Sequence, residues 1–337
     1  MAPAGGASAP THPSKHGARS APQITLGHNT AMTSRILDGT AVSKAIRAEV
    51  ADGVTELAAR GIVPGLAVIL VGDHPASAVY VASKGAAARE AGIAERTLRF
   101  PAGLPGAELL AAVDGLNRDD SVDAILVQLP LPKHIDAARI LEAIDPRKDV
   151  DGFHPVNAGR LLQGKSAPVP CTPAGILELL RREGIPLQGT RAVVVGRSDI
   201  VGKPTALLLL QNHATVTIAH SRTRDLPGLC READLLVAAI GRPGFVTGAF
   251  VKEGAVLVDV GINRLTSRDD VERFFPGDAA RFSTFENKGS TLVGDCDPAT
   301  AFPRSSRYTP VPGGVGPLTI AMLLRNTLDL CRKRRSP

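Results

Sequence analysis

The apolar residues of this chain fall into short, dense runs separated by helix-like stretches. Leu66–Gly72 is continuously apolar and rich in branched side chains, as a strand covered on both faces requires. A helix is predicted from Asp73 to Gly92, with Pro75 in its first turn and Gly92 as its stop. Leu98–Pro101 predicts a second strand and residues 106–117 a helix. Ala124–Leu129 predicts a further buried strand, ended by Pro130 and Pro132. A helix around 136–144 leads into the turn-rich stretch Lys148–Gly152. The pattern then restarts, with strands at 191–196, 214–219, 234–240 and 255–260, a helix at 203–212 and an apolar helix at 317–331. Such alternation predicts two α/β domains in series, each a parallel sheet covered by helices, with a boundary near 150–170. Residues 264–290 are charged and read as an irregular surface insertion.

Composition narrows the class. Of 337 residues, 44% are hydrophobic and 21% charged, which excludes wholesale disorder. No run approaches the ~18 apolar residues of a membrane span, so a soluble protein is expected. The net charge of +6 lies at the ends: Lys15 and Arg19 in an acid-free first 31 residues, and Arg332, Lys333, Arg334 and Arg335 in the last six. Everything between is neutral and aromatics are only 3%, so the basic ends read as solvated tails rather than a nucleic-acid face. Residues 1–31 have no apolar core for a secretory signal and carry four prolines and one Arg; they read as a disordered extension, with Met32 a candidate start. Cys171, Cys230, Cys296 and Cys331 are widely spaced and suit neither a zinc site nor a disulfide framework. A reducing cytoplasm is the expected home, with no metal.

Three features carry candidate chemistry. Strand 191–195 runs into Gly196-Arg-Ser-Asp-Ile-Val-Gly202-Lys-Pro204, a glycine turn placed where a nucleotide phosphate meets a helix N-terminus. It is not G-x-G-x-x-G, and an ordinary tight turn is the alternative. The next strand ends His220-Ser221-Arg222-Thr223-Arg224 with no acid before Asp225, where an NAD site would hold one for the ribose. Hydroxyl and guanidinium groups there, with Arg197, suit a 2′-phosphate and so NADP, unless they are solvated loop cations. Tyr80 and Lys84 lie four apart and share one helix face. A Tyr-x-x-x-Lys pair evokes short-chain dehydrogenases, but there it follows the glycine turn, and here it precedes it. Gln128 is the one polar residue in an apolar strand, and is either a site residue at the strand's C-terminal end or a satisfied core amide.

Seven stretches occur in order: Tyr80-Val-x-x-Lys84, Val127-Gln-Leu-Pro-Leu-Pro132, Lys148-Asp-Val-Asp-Gly152, Pro170-Cys-Thr-Pro173, Val194-Val-Gly-Arg-Ser198, Val201-Gly-Lys-Pro204 and Thr309-Pro-Val-Pro-Gly-Gly-Val-Gly-Pro317. Together, across about residues 34–331, they closely resemble the bifunctional methylenetetrahydrofolate dehydrogenase/methenyltetrahydrofolate cyclohydrolase family. The resemblance implies a folate-binding catalytic domain over 32–157, joined by helix 317–332. It implies a Rossmann-like NADP-binding domain over 158–316, and an active site in the cleft between the two. It further implies oxidation of 5,10-methylenetetrahydrofolate by NADP and hydrolysis of the methenyl product to 10-formyltetrahydrofolate. By the same resemblance Lys84 is catalytic, Gln128 orients it, Tyr80 packs against the folate and Asp151 holds the pterin. Gly196, Arg197, Ser198, Ser221 and Ile262 would contact NADP, while Pro312, Gly313 and Gly314 would line the cleft. His154, beside Asp151, reads as structural. Family members are typically cytoplasmic homodimers serving purine, histidine and methionine synthesis. Two departures stand out: the 264–290 segment is longer than the family's usual connection, and Cys296 replaces the usual Val.

Overall fold

The seven residues Gly65–Val71 are buried along their whole length and form the central strand of a sheet. The structure, a computed structural model, describes residues 34–335; the expectations for residues 1–31 and Met32 lie outside the described residues. The first half of the chain contains β1 (Arg35–Ile36), α1 (Gly39–Ala58), β2 (Gly65–Val71), α2 (Pro75–Glu90), β3 (Ala94–Phe100), α3 (Gly106–Arg118), β4 (Ala124–Val127) and α4 (Ala137–Glu142). Two helices, α5 (Pro155–Leu162) and α6 (Cys171–Arg182), lead to β5 (Arg191–Val195), α7 (Gly202–Gln211), β6 (Thr215–Ala219), α8 (Leu226–Cys230), β7 (Leu235–Ala238) and β8 (Val256–Asp259). Then come β9 (Asn263–Leu265), α9 (Arg268–Phe274), α10 (Ala279–Lys288), β10 (Thr291–Val293), β11 (Arg307–Tyr308) and α11 (Val315–Arg335).

Both main sheets are parallel, as the alternation predicts. The smaller has the order β3-β2-β4, and the larger β1-β11-β8-β7-β5-β6. β1 therefore joins the larger sheet although the next elements in sequence build the smaller one. Helix α1 starts at Asp38, whose side chain accepts from the Ala41 N–H at 3.0 Å, a helix N-cap. It buries Val42, Ile46, Val50, Val54 and Leu57, one stripe at helical spacing. That stripe meets α11 and the face of β2 in one apolar cluster that includes Leu66, Val68, Leu318 and Leu324. Burial of such side chains contributes roughly 1.5–3 kcal/mol each, so this cluster is what carries α11 back onto the first sheet.

Two expectations need correction. The 264–290 segment is not irregular: β9 and β10 pair antiparallel, α9 and α10 sit between them, and Leu265, Val271, Phe274, Phe275 and Val293 form a separate core with Phe282 and Phe285. Nor are Arg334 and Arg335 solvated tail cations. α11 continues through them, and both guanidinium groups donate to the fully buried Asp123, at 2.6 and 2.8 Å. Asp123 also accepts the Gly65 N–H at 2.9 Å, so the charges fasten the helix end to the sheet edge. The four cysteines are free and buried. Among the described residues, no helix is long and apolar enough to cross a membrane.

Candidate active site

Proline at the first turn of α2 and the helical spacing after it place Tyr80 and Lys84 one turn apart on the same face. β4 stops at Val127, and Gln128 sits just beyond its C-terminal end, where parallel sheets open their sites. The two meet: Lys84 Nζ donates to Gln128 Oε1 at 3.1 Å, and Gln128 Nε2 donates to the Leu129 carbonyl at 2.7 Å. Gln128 is thus a half-buried amide whose two ends are both committed, which fixes the direction of the Lys84 amine.

The Lys148–Gly152 turn divides its charges between structure and site. Lys148 Nζ donates to the carbonyls of Leu116 and Asp119, at 3.0 and 2.8 Å. Asp149 accepts from the N–H groups of Phe153 and His154 and from Asn157 Nδ2. His154 Nδ1 accepts from the Val156 N–H and caps α5, the structural role expected of it. Asp151 alone faces a cavity of about 210 Å³, lined also by Lys84, Gln128, Cys171, Thr172 and Thr319. Burial raises the Asp151 carboxyl above its ordinary range, and the charge of Lys84 opposes the rise. The Cys171 thiol, which donates to Asp151 Oδ1 at 3.6 Å, is pushed well up by burial and by that carboxylate. It is an inert hydrogen-bonding group, not a nucleophile.

A larger cavity of about 680 Å³ shares Lys84, Thr172 and Thr319 with the first and adds Tyr80 and Ile262. A third, of about 120 Å³, is lined by Tyr80, Ile262, Pro312, Gly313 and Gly314. Besides Tyr80 and Lys84 themselves, the five other residues expected at the substrate or in catalysis, Gln128, Asp151, Pro312, Gly313 and Gly314, therefore share walls with one or the other. Ile262, expected at the cofactor, lines these cavities and not the nucleotide one. Thr172 and Thr319, whose hydroxyls lie 2.9 Å apart across α6 and α11, were not anticipated. Pro170-Cys-Thr-Pro173 marked the first, but nothing local marks Thr319.

Across the cleft, Gly196, Arg197, Ser198, His220, Ser221, Arg242 and Phe245 enclose about 250 Å³. Gly196 has φ +137°, and a Cβ there would lie 2.2 Å from the Ala239 carbonyl oxygen, so only glycine lets β5 turn this close to β7. Ser198 Oγ accepts from the N–H groups of Val201 and Gly202, each at 3.2 Å, shaping the entry to α7. The first acid after β6, Asp225, is spent on the Gly228 N–H at the start of α8. The site thus offers a phosphate-accommodating glycine turn, a helix N-terminus, Arg197 and Ser221, and no carboxylate among its lining residues. That donor set fits NADP. Arg242, its guanidinium carbon 4.6 Å from the Phe245 ring centroid, is a further cation here that no local motif marks.

Two parallel α/β sheets, one ending in a glycine turn with a basic nucleotide pocket and one presenting a Lys–Gln–Asp cluster across the cleft, define a two-domain nucleotide-dependent dehydrogenase. Residues 37–151 match the catalytic-domain model of tetrahydrofolate dehydrogenase/cyclohydrolase, and residues 170–335 match the NAD(P)-binding-domain model. The chain belongs to the tetrahydrofolate dehydrogenase/cyclohydrolase family. It is 56% identical over 304 residues to the bifunctional protein FolD of Koribacter versatilis, covering 90% of this chain and 99% of the relative. Among solved structures it resembles the bifunctional FolD dehydrogenase/cyclohydrolase of Campylobacter jejuni (45% identity, TM-score 0.82, 90% and 100% coverage). It also resembles the Trypanosoma brucei FolD complexed with NADP cofactor and inhibitor (39%, TM-score 0.81, 90% and 99%).

Proposed function

We propose that this chain oxidises 5,10-methylenetetrahydrofolate to 5,10-methenyltetrahydrofolate with NADP and then hydrolyses the methenyl product to 10-formyltetrahydrofolate. The observation that carries this reading is the Lys84–Gln128 pair, held in a cavity with Asp151 and facing the nucleotide side of the cleft. Bound NADP supplies the hydride acceptor. The chain's own residues position and protect. Tyr80 offers its ring to the flat folate, and the Asp151 carboxylate accepts from adjacent pterin N–H groups. Pro312, Gly313 and Gly314 close the substrate side. The oxidation mainly needs this alignment, since the hydride leaves the bridging carbon without a base. Hydrolysis adds water to the methenyl carbon with loss of a proton, which Lys84, aimed by Gln128, accepts; the C–N5 bond of the adduct then breaks as N5 takes up a proton, leaving the formyl group on N10.

Gly196, Arg197, Ser198 and Ser221 bind the adenosine phosphate end of NADP, and Ile262 lies toward the substrate. The division into a folate domain over 32–157 with helix 317–332, and an NADP domain over 158–316, is supported by the packing of α11 on α1 and β2. A homodimer reading is supported by the edge of the larger sheet, where β6 carries exposed Ile218 and the preceding α7 exposed Leu210; two copies can pair these edges. The setting is the cytoplasm, and the product feeds purine, histidine and methionine synthesis.

The test is an assay reading NADPH and methenyltetrahydrofolate together. Lys84→Met keeps the stem and removes the amine. Hydrolysis should fall by about 10²–10⁴-fold, the worth of general-base assistance, with dehydrogenation reduced far less and methenyltetrahydrofolate accumulating. Unchanged hydrolysis would remove Lys84 from the mechanism.

A further inference from the structure

The 263–293 insertion plays no part in the chemistry above, yet its contacts run to both sides of the cleft. On α10, Arg281 links the insertion's own β10 to the loop beyond it. Its Nη1 donates to the Leu292 carbonyl at 3.0 Å, and its Nη2 donates to the carbonyl of Val311. The guanidinium carbon lies 4.3 Å from the centroid of the Phe275 ring. Among the described residues it forms no ion pair with a carboxylate. A half-buried guanidinium without a carboxylate is costly to desolvate, so the two carbonyls it satisfies are firmly held. Both belong to residues lining the small cavity with Tyr80, Ile262, Pro312, Gly313 and Gly314, and Val311 immediately precedes Pro312.

The other contact faces the nucleotide. Gly244 has φ +58°, and a Cβ on it would lie 2.0 Å from Phe274 Cε1, so the ring fills the space a side chain would take. Gly244 sits between Arg242 and Phe245, both lining the nucleotide cavity. Where the insertion rejoins the sheet, Asp295 accepts the N–H groups of Ile240, Gly241 and Arg242, at 2.6, 2.9 and 2.9 Å. One small body with its own apolar core therefore touches the 240–245 loop and the 311–314 loop at once.

We propose that the insertion braces the cleft, and that Arg281 is a positioning residue which sets the Pro312–Gly314 loop for folate. This rests on the reading that Pro312–Gly314 line the folate site. A site held within about half an ångström needs such supporting contacts. The substrate wall should then answer to Arg281 and the nucleotide wall to Phe274.

The experiment measures KM for methylenetetrahydrofolate and for NADP, with kcat, in the full-length enzyme. Arg281→Met should raise the folate KM about tenfold, the loss expected for a charge-assisted bond, with kcat and the NADP KM changed less than about twofold. Arg281→Lys, which can still reach one carbonyl, should recover part of the folate KM. Phe274→Ala should raise the NADP KM more than the folate KM. A uniform loss in all parameters for Arg281→Met, unrelieved by Arg281→Lys, would reduce the residue to fold maintenance and overturn the proposal. Gly313→Ala separates the two readings. If it leaves the folate KM unchanged, the loop is not part of the folate site. If it raises that KM while Arg281→Met does not, the loop assignment stands and the brace fails.

Discussion

The two walls of the cleft are built from different materials. The substrate wall presents side chains from regular elements: Tyr80 and Lys84 from α2, Gln128 beyond β4, and Asp151 from a turn locked by Lys148 and Asp149. The nucleotide wall is mostly backbone held from behind by buried carboxylates. Asp295 takes three consecutive N–H groups of the 240–242 loop. Behind it, Asp259 accepts the N–H of Asp295 itself at 2.8 Å, with those of Gly261 and Cys296 at 3.0 and 2.9 Å, and so anchors that grip. Burial pushes the Asp259 carboxyl up to about 7 even against those donors. The difference teaches where each wall is vulnerable. Chemistry can be deleted from the first with the fold intact, whereas the second fails when its shape is disturbed.

The largest effect that would break or sharpen this contrast comes from one methyl group. Gly196→Ala places a Cβ 2.2 Å from the Ala239 carbonyl oxygen at a φ that disfavours any side chain. Backbone strain costs of order 1–3 kcal/mol before the clash is counted, so dehydrogenase kcat/KM should fall at least about a hundredfold. Hydrolysis of methenyltetrahydrofolate, assayed without NADP, should stay within about threefold. Equal collapse of both activities would show that the walls are not separable. Arg197→Ala is next. Losing a charge-assisted bond of about 1.5–3 kcal/mol should raise the KM for NADP about ten- to a hundredfold and leave that for NAD nearly unchanged. If both cofactors weaken together, the 2′-phosphate is held by another group, with Arg242 the first to examine.

The same contrast explains what the sequence discloses. Strands such as Gly65–Val71 and Arg191–Val195 are legible because burial on both faces leaves a continuous apolar run. The substrate wall is legible because its chemistry rests on residue types within short motifs. Helix α1 has helical apolar spacing behind the Asp38 N-cap, and Pro170 immediately precedes α6, so both helices left a readable start in the sequence. What stays hidden is held by partners far apart in the chain. Asp295 grips Ile240 55 positions away, Arg334 reaches Asp123 across 211, and Thr172 meets Thr319 across 147. The insertion looked irregular because its charged surface residues outnumber the five buried apolar ones that pack only once α9 and α10 fold together.

The smallest expected effect tests whether the frame behind both walls is independent of either. Glu178 on α6 accepts from Arg181 Nη2 at 2.9 Å and Arg182 Nε at 2.6 Å, and lies 3.4 Å from Arg325 of α11. Arg182 and Arg325 also reach Glu49 of α1, so one cluster of charges ties three helices together. Arg181 foremost, with Arg182 and Arg325, holds the Glu178 carboxyl down to about 2 from an ordinary 4.5. A carboxyl depressed on folding adds stability that is complete above about pH 4.5 and is lost as pH falls toward 2. The full shift would correspond to about 3 kcal/mol, but Arg181 is largely exposed and solvent screens the pair, leaving about 1 kcal/mol. Glu178→Gln should therefore lower the melting temperature by about 2 °C at pH 7, with the gap to the parent narrowing as pH falls from about 4.5 toward 2. Neither KM should move. A gap that persists unchanged at pH 3 would mean that shape, not charge, joins these helices, and a shifted KM would mean that the frame and the walls are not independent.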